Sequence, residues 1–126
     1  MGPHYHDETT AVHGGVVPEK ETGAIMTPIF QTSTFVQEEP GVHKGFDYSR
    51  ADNPTRQVYE ESLACLEGAS YGLSFSSGLA AVQAILQTLE SGSRVLVSDD
   101  VYGGTGRLFR NLFAKYQIDF IFLDMT

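Results

Sequence analysis

The chain has 126 residues, of which 41% are hydrophobic, and its sixteen acidic and eight basic residues give a net charge of −8. This length and composition predict one globular domain with a single core and exclude a disordered chain. Because no run of Lys or Arg is present, nucleic acid and anionic membranes are excluded as partners. The absence of a signal sequence and of a membrane-spanning apolar run predicts a soluble, cytoplasmic protein.

The first part of the chain is polar and weakly periodic. Residues Met1 to Gly23 are expected to form an extended arm with a short helix near Glu8–His13. The run Ile25–Phe35 combines apolar and β-branched residues with a proline, which favours an extended segment that packs on a partner surface. A turn is predicted at Glu38–Gly41.

Metal and thiol chemistry have little support in this sequence. His4, His6 and His13 have no cysteine or carboxylate at a recognisable ligand spacing, so we expect no metal site. Cys65 is the only cysteine, which excludes an internal disulfide. Its position in a helical pattern predicts a buried, small hydrophobic side chain.

A distinctive loop precedes a predicted helix. Asn53 as N-cap and Pro54 at the first helical position begin this helix, and Gly68 ends it. In the loop, Tyr48 and Arg50 are two residues apart, so both project to one side of an extended segment. A phenol beside a guanidinium suits a cluster of phosphate or carboxylate oxygens. The alternative is a packing tyrosine next to an ordinary surface arginine.

Strand-like and helical patterns alternate in the second half of the chain. The predicted strands are Tyr71–Phe75, Arg94–Ser98 and Phe120–Leu123, and the predicted helices are Gly78–Leu89 and one that Thr105 caps and that runs through Lys115. Short, continuous apolar strands are typical of a mainly parallel sheet that is buried on both faces. The pattern therefore predicts an α/β fold.

The sequence Ser76-Ser77-Gly78 joins the first predicted strand to its helix. Either serine can cap the helix. The N–H groups of Gly78, Leu79 and Ala80 would then point outward, and with the helix dipole behind them they favour a phosphate. A helix cap without a ligand is the alternative.

A glycine-rich loop follows the second predicted strand, at the strand end where open α/β sheets bind ligands. The three glycines Gly103, Gly104 and Gly106 indicate unusual backbone angles or a close approach of another group to the backbone. Tyr102 is the aromatic ring of this loop. The alternatives are an ordinary edge aromatic for Tyr102 and a solvated helix residue for Arg107. Because neither Gly-x-x-x-x-Gly-Lys-Ser/Thr nor Gly-x-Gly-x-x-Gly is present, a nucleotide site lacks its usual support.

Three motifs occur together in a specific order. They are Tyr48-Ser49-Arg50 with Asn53-Pro54-Thr55-Arg56, Ser76-Ser77-Gly78-Leu79-Ala80, and Asp100-Val101-Tyr102-Gly103-Gly104-Thr105. With these motifs the chain resembles, from about Thr10 to its end, the pyridoxal-phosphate (PLP) enzymes of cysteine and methionine metabolism, such as cystathionine γ-lyases and γ-synthases. The resemblance implies an α/β fold of PLP-dependent transferase type I, whose large domain is similar to that of aspartate aminotransferase. It also implies homotetramers of much longer chains.

The resemblance implies roles for the helix start and the aromatic ring. Ser77 and the N–H groups of Gly78 and Leu79 resemble the cup that holds the cofactor phosphate. Tyr102 resembles the aromatic that stacks on the pyridine ring, and its hydroxyl resembles a catalytic proton carrier that contacts the substrate.

The resemblance also implies an active site shared between two chains. Tyr48 and Arg50 resemble the pair that reaches the phosphate of the neighbouring subunit's cofactor, and Arg50 is also expected to contact the substrate. Residues 1–52 would then be the arm and the partner-contacting loop. Residues 53–126 would be the first part of a truncated PLP-binding domain, and two such dimers would form the tetramer.

Two positions narrow the activity that the resemblance implies. Methionine γ-lyases typically carry a cysteine two residues after the stacking tyrosine, where this chain has Gly104. Arg107 resembles an arginine that cystathionine-handling members use for the distal carboxylate of the substrate. We therefore expect α,γ-elimination of cystathionine to cysteine, 2-oxobutanoate and ammonia. The alternative is a γ-synthase, which replaces the γ-substituent of an O-acyl homoserine with cysteine.

Two groups that the chemistry needs are not identifiable in this chain, namely the Schiff-base lysine and the carboxylate that keeps the pyridine nitrogen protonated. Lys20, Lys44 and Lys115 lie outside the family's Ser-x-x-Lys context, and Asp124 comes too early. We therefore expect the 126 residues to be a truncated part of an enzyme and inactive alone. A short non-catalytic module with the cofactor fold and a phosphate-binding domain unrelated to PLP are the rival classes.

Overall fold

The computed structural model of the protein describes residues 6–125. These residues divide into two units between Ser74 and Phe75. The first residues of the predicted arm, His4 among them, lie outside the described residues. The predicted boundary after residue 52 refers to the complete cofactor domain and stays a prediction. No helix within residues 6–125 has the length and apolar character needed to cross a membrane.

The first unit begins with helix α1 (Asp7–His13), which confirms the predicted short helix. A small antiparallel hairpin follows, made of β1 (Gln37–Glu39) and β2 (Val42–His43). Its turn lies at Pro40 and Gly41, within the segment predicted to turn, and Gly41 has a φ of 82° that glycine adopts without a steric penalty. Strands this short carry no readable alternation, which is why the sequence predicts the turn and not the hairpin.

The run Ile25–Phe35 contains neither a helix nor a ladder strand, as predicted for an extended segment. Its regular pairing is a single antiparallel bridge between Thr34 and Tyr48. Ile25 and Ile29 are exposed. The partner surface on which this run would pack stays a prediction.

Helix α2 (Pro54–Leu66) begins and ends as its sequence predicts. The Asn53 side-chain oxygen accepts a hydrogen bond from the Thr55 N–H at 2.9 Å, which satisfies one of the free donors of the first turn. At the other end Gly68 takes a φ of 61°, in the left-handed region that commonly follows a helix.

The prediction of a buried Cys65 is wrong, because its thiol is exposed. The buried residue of α2 is its neighbour Ala64. Successive residues of a helix are rotated by about 100°, so the side chain next to a buried position can face solvent. The sequence therefore locates the helix correctly but assigns burial to Cys65, where the structure buries Ala64.

The second unit contains one parallel strand pair and its helical crossover. Its elements are α3 (Gly78–Leu86), β3 (Arg94–Ser98), α4 (Gly103–Arg107), a π-helical turn (Leu108–Leu112), a 3-10 turn (Phe113–Tyr116) and β4 (Asp119–Leu123). Strands β3 and β4 pair in parallel from Arg94 with Asp119 to Ser98 with Leu123. This arrangement confirms the predicted α/β organisation and two of its three strands.

The core of the second unit lies between the helices and one face of the strand pair. Its buried members are Leu86, Val97, Phe109, Phe113 and Ile118. The Phe109 ring stacks on Phe120 with centroids 4.5 Å apart. The opposite face is uncovered, since Leu96 is 66% exposed, so the expectation of a sheet buried on both faces is wrong for the described residues.

The predicted strand Tyr71–Phe75 is not formed. Among residues 6–125 the ladders join only β1 with β2 and β3 with β4, and the Tyr71 side chain is 88% exposed. A strand exists only where a neighbour accepts and donates its backbone hydrogen bonds, and an apolar run alone does not reveal that neighbour.

Two helix boundaries also differ from the predictions. Helix α3 ends at Leu86 and not at Leu89. Thr105 does not cap a helix, because α4 begins at Gly103 and Thr105 lies buried inside it. Glycine disfavours a helix by only about 1 kcal/mol, and packing of this buried segment outweighs that preference.

Two adjacent residues of α3 test whether the apolar core stabilises the second unit. Leu86 is 4% exposed and Ile85 is 65% exposed. Leu86→Ala is expected to lower the free energy of unfolding by about 2–5 kcal/mol, because it leaves a cavity in the core. Ile85→Ala is the matched control and should change it by at most about 0.5 kcal/mol. Denaturant unfolding followed by circular dichroism measures both, and equal losses would contradict this description of the core.

Candidate functional site

The start of α3 is capped as the sequence predicts. Ser77 is the N-cap in extended conformation, and its Oγ accepts a hydrogen bond from the Ala80 N–H at 3.2 Å. The Ala81 N–H donates to the Ser77 carbonyl at 3.1 Å. The expectation of a free Ala80 N–H is therefore wrong, because the cap that Ser77 provides already uses that donor.

Two donors remain at this helix start, the N–H groups of Gly78 and Leu79. The hydrogen bonds recorded among residues 6–125 include no acceptor for either group. A Cβ added at Gly78 would meet no atom within 4 Å, so the backbone there is open. Open N–H groups at the positive end of a helix dipole fit a phosphate oxygen.

The ring of Tyr102 lies next to this helix start. Tyr102 follows β3, is the N-cap residue of α4, and is 73% exposed. A Cβ added at Gly104 would lie 2.6 Å from Tyr102 Cε1 and 3.3 Å from Leu79 Cδ1. The absence of that Cβ lets the aromatic ring and the Leu79 side chain of α3 both approach the Gly104 backbone.

The side chain of Arg107 folds back toward the same loop. Its Nη1 lies 3.9 Å from the position of a Cβ added at Gly103. Within the described part of the chain no hydrogen bond or ion pair to the Arg107 guanidinium is recorded. Arg110, on the following turn, instead lies over the Phe122 ring at 4.3 Å. Arg107 thus offers a fork of free donors beside the Tyr102 loop.

Tyr48 and Arg50 lie together in the first unit. The Arg50 Cζ is 4.9 Å from the centroid of the Tyr48 ring, a cation–π contact. The predicted proximity of the two side chains is confirmed, but the segment is a turn and not extended, because the Ala51 and Asp52 N–H groups both donate to the Tyr48 carbonyl. Their roles at a phosphate, like those of Ser77, Gly78, Leu79, Tyr102 and Arg107, stay predictions.

The sequence reasoning missed Arg56, which braces this loop. Its Nη1 donates to the Ser49 carbonyl at 3.0 Å and its Nη2 to the Ala51 carbonyl at 2.7 Å. Its guanidinium also lies 3.7 Å from carboxylate oxygens of Asp52 and Glu60. The four-residue spacings on a helix indicate the two ion pairs, whereas the carbonyl contacts depend on a loop path that the sequence does not specify.

The sequence reasoning also missed Glu60, which joins α2 to the end of the first unit. Its Oε1 accepts the Ser74 N–H at 2.8 Å and the Ser74 hydroxyl at 2.7 Å. Partial burial acts to raise the pKa of Glu60, but the Ser74 hydrogen bonds and the Arg56 charge outweigh it, so the pKa lies below its usual value. Glu60 therefore remains ionised and holds the chain shortly before Ser77.

The described residues contain no group of three or more His, Cys, Asp or Glu side chains that could hold a metal ion. His6 and His13 are therefore not parts of such a group in residues 6–125. Within the second unit, the Gly78 and Leu79 N–H groups and the exposed Tyr102 ring suit a ligand with a phosphate and a flat ring.

The family comparison gives the class of protein to which these features belong. The model of the Cys/Met metabolism PLP-dependent enzymes matches residues 8–126. The chain belongs to this family, whose members depend on PLP.

Individual relatives carry different activity names. The chain is 48% identical over 122 residues to a cystathionine β-lyase of Coxiella burnetii, which covers 96% of this chain and 32% of the relative. It is 46% identical to a probable cystathionine γ-synthase of Herpetosiphon aurantiacus. This match covers 97% of this chain and 38% of the relative. It thus spans about a third of the length of these relatives.

A solved structure agrees with the fold. The structure of cystathionine γ-lyase from Lactobacillus plantarum, complexed with L-serine, matches with a TM-score of 0.86 and 38% identity. The match covers 95% of this chain and 31% of that chain. The predicted fold is confirmed, and the described elements are the N-terminal part of it.

The contact at Gly104 can be tested with two buried glycines of the same helix. Gly104→Ala is expected to displace the Tyr102 ring and lower the free energy of unfolding by about 1–3 kcal/mol, because a Cβ would overlap the ring. In Gly106→Ala the close contact of the added Cβ is with the flexible end of Arg110, at 3.1 Å, and Val101 lies at an ordinary 3.8 Å, so this change should raise the free energy of unfolding by about 0.4–1 kcal/mol. Denaturant unfolding and the NMR resonances of the Tyr102 ring measure the two effects. Identical stabilities with an unmoved ring would contradict the contact.

Proposed function

We propose that the chain is the arm and the first part of the cofactor domain of a PLP-dependent transsulfuration enzyme. In its full length this enzyme cleaves cystathionine by α,γ-elimination to cysteine, 2-oxobutanoate and ammonia. The observation that carries the proposal is the approach of both Leu79 and Tyr102 to the Gly104 backbone, which brings an open helix start near an exposed ring. When bound, PLP supplies an electron sink that stabilises negative charge on the carbon next to the substrate amino group.

The start of α3 binds the phosphate of the cofactor in this proposal. The N–H groups of Gly78 and Leu79 donate hydrogen bonds to phosphate oxygens. The Ser77 hydroxyl also donates a hydrogen bond to the phosphate, while its oxygen still accepts the hydrogen bond from the Ala80 N–H. The open space at Gly78 lets a ligand approach the backbone. The helix dipole adds a favourable charge interaction.

Tyr102 performs two tasks in this proposal. Its ring stacks on the flat cofactor ring and sets the plane in which the cofactor lies. Its Oη carries a proton at the reacting part of the substrate, which makes Tyr102 the catalytic residue of this chain. The high exposure of its side chain supports both tasks, since a ligand can reach the ring.

The first unit serves a neighbouring copy of the chain. Tyr48 and Arg50 bind the phosphate of the cofactor that the neighbour holds, and Arg50 also contacts the substrate. The cation–π contact between the two side chains supports this task, because it groups a hydroxyl and a guanidinium in one loop. Two such dimers form a homotetramer, and the enzyme works in the cytoplasm.

Arg107 selects the substrate. Cystathionine carries a second carboxylate at its far end, and a guanidinium fork binds a carboxylate through two parallel hydrogen bonds. The lack of a recorded partner for Arg107 among residues 6–125, and its return toward Gly103, support this role.

A cystathionine γ-synthase is the second candidate. The 46% identity to the Herpetosiphon relative supports it, and the cystathionine that it would form needs the same arginine for its distal carboxylate. Gly104 and Arg107 favour an enzyme that acts on cystathionine, but they do not indicate whether it cleaves or forms that compound. The names of the relatives also include a β-lyase. The assay must therefore distinguish elimination at the β-carbon from elimination at the γ-carbon.

Product analysis of the full-length protein tests the reaction. With cystathionine we expect 2-oxobutanoate and cysteine, measured as keto acid and thiol by chromatography. Pyruvate with homocysteine would indicate elimination at the β-carbon, and cystathionine formed from an O-acyl homoserine plus cysteine would indicate the synthase. The 126-residue chain alone should release no keto acid, because it offers no lysine in a Ser-x-x-Lys context. A full-length protein without any of these activities would contradict the proposal.

Arg107→Lys tests the substrate role. The full-length variant should show a KM for cystathionine raised about tenfold or more, because lysine cannot form the two parallel hydrogen bonds to a carboxylate. An amino-acid substrate without a distal carboxylate should react as before. Arg110→Lys is the matched control, since the Arg110 guanidinium is already engaged over the Phe122 ring, at 4.3 Å. Equal effects of Arg107→Lys on both substrates would argue against this role.

A further inference from the structure

One guanidinium holds the backbone on both sides of Arg50. Arg56 donates from Nη1 to the carbonyl of the preceding residue, Ser49, at 3.0 Å, and from Nη2 to the carbonyl of the following residue, Ala51, at 2.7 Å. The Ser49–Arg50 and Ala51–Asp52 peptide groups, one before Arg50 and one shortly after it, are therefore oriented by a single planar fork. A lysine could reach one of these carbonyls but has no fork to hold both.

Two carboxylates keep the Arg56 fork in place. Asp52 Oδ1 lies 3.7 Å from Nη2, and Glu60 Oε1 lies 3.7 Å from Nε. The Glu60 side chain is only 16% exposed and also binds Ser74, so it is a fixed partner. The Arg56 guanidinium therefore binds one carboxylate before α2 and one within α2, and it also binds the two loop carbonyls.

The rest of the loop backbone is fixed in the same way. The Ser49 N–H donates to the Ser33 carbonyl at 2.8 Å, and the Ser49 hydroxyl donates to the Thr32 carbonyl. Asn53 Nδ2 donates to Ser49 Oγ at 2.9 Å. By contrast, the Arg50 side chain has one recorded contact among residues 6–125, the Tyr48 ring. The loop therefore combines a fixed backbone with a guanidinium that is free to bind an anion.

We infer that Arg56 is a positioning residue that prepares the Tyr48 and Arg50 pair for a phosphate. The inference depends on the proposed function, since it assumes that Arg50 binds the cofactor phosphate. A fixed backbone reduces the conformational freedom that binding must remove, so the phosphate is bound more tightly without a contact to Arg56. Arg56 acts through Arg50 and touches neither cofactor nor substrate.

Cofactor binding to the full-length apo-protein tests the inference. The affinities for PLP and for pyridoxal, which lacks the phosphate, are measured by absorbance titration for the wild type, Arg56→Lys, Arg50→Ala and the double variant. Arg56→Lys should weaken PLP about tenfold and leave pyridoxal unchanged. The double variant should bind PLP no more weakly than Arg50→Ala alone, because the effect of Arg56 passes through Arg50.

A matched control and a second measurement separate positioning from general stability. Arg94→Lys changes an exposed ion pair to Asp119, at 3.8 Å, and should alter neither affinity. Hydrogen exchange should quicken at the Ala51 and Asp52 N–H groups, which donate to the Tyr48 carbonyl, in Arg56→Lys. Arg56→Gln replaces Arg56→Lys if the lysine variant does not fold.

The possible results distinguish this inference from the proposed function. Equal weakening of PLP and pyridoxal by Arg56→Lys, unchanged PLP binding, or a further loss in the double variant would overturn the positioning role alone. A wild-type protein that binds PLP no better than pyridoxal would overturn the proposed function, and the inference with it. A normal wild type with an Arg50→Ala variant of unchanged PLP affinity would refute the role of Arg50 and the positioning by Arg56 together.

Discussion

Two backbone N–H groups at the start of α3 need an acceptor that the described residues do not supply. The cap by Ser77 satisfies Ala80 and leaves Gly78 and Leu79 open to solvent, so the helix start keeps its positive end free. Water satisfies such groups at little cost, but an anion gains more, because the donors are already oriented. The short hydrogen-bonded cap thus determines which two N–H groups would be offered to the proposed phosphate.

The other groups of the candidate site depend on close backbone contacts. Tyr102 and Leu79 both approach the backbone of Gly104, where a side chain would clash, and Arg56 binds carbonyls before and after Arg50 in its loop. In both cases the residue that would contact the ligand has few protein contacts, while its backbone is closely packed or hydrogen-bonded. A preorganised binding site requires this combination of a fixed backbone and side chains that remain available to the ligand.

Local signals in the sequence predict much of this arrangement, and contacts between distant segments account for what they miss. Asn53 and Ser77 cap their helices as predicted, since an N-cap binds within three residues of itself. Tyr71–Phe75 has the composition of a strand but no partner, and composition cannot reveal a partner. The contact from Glu60 to Ser74 spans fourteen residues, so no helical or strand periodicity indicates it. The motifs therefore indicate the candidate site, whereas its supporting contacts appear only in the folded chain.

The charge of a phosphate gives a physical reason for the proposed contribution of a second copy of the chain. A phosphate group presents three strong acceptor oxygens and nearly two negative charges at neutral pH. The helix start offers two N–H groups and one hydroxyl, all neutral, and the sequence has no charged residue from Ala69 to Leu89. Neutral donors can orient a phosphate, but a charge-assisted hydrogen bond is roughly twice as strong. An arginine such as Arg50, supplied by a neighbour, would provide the charge that the helix start lacks.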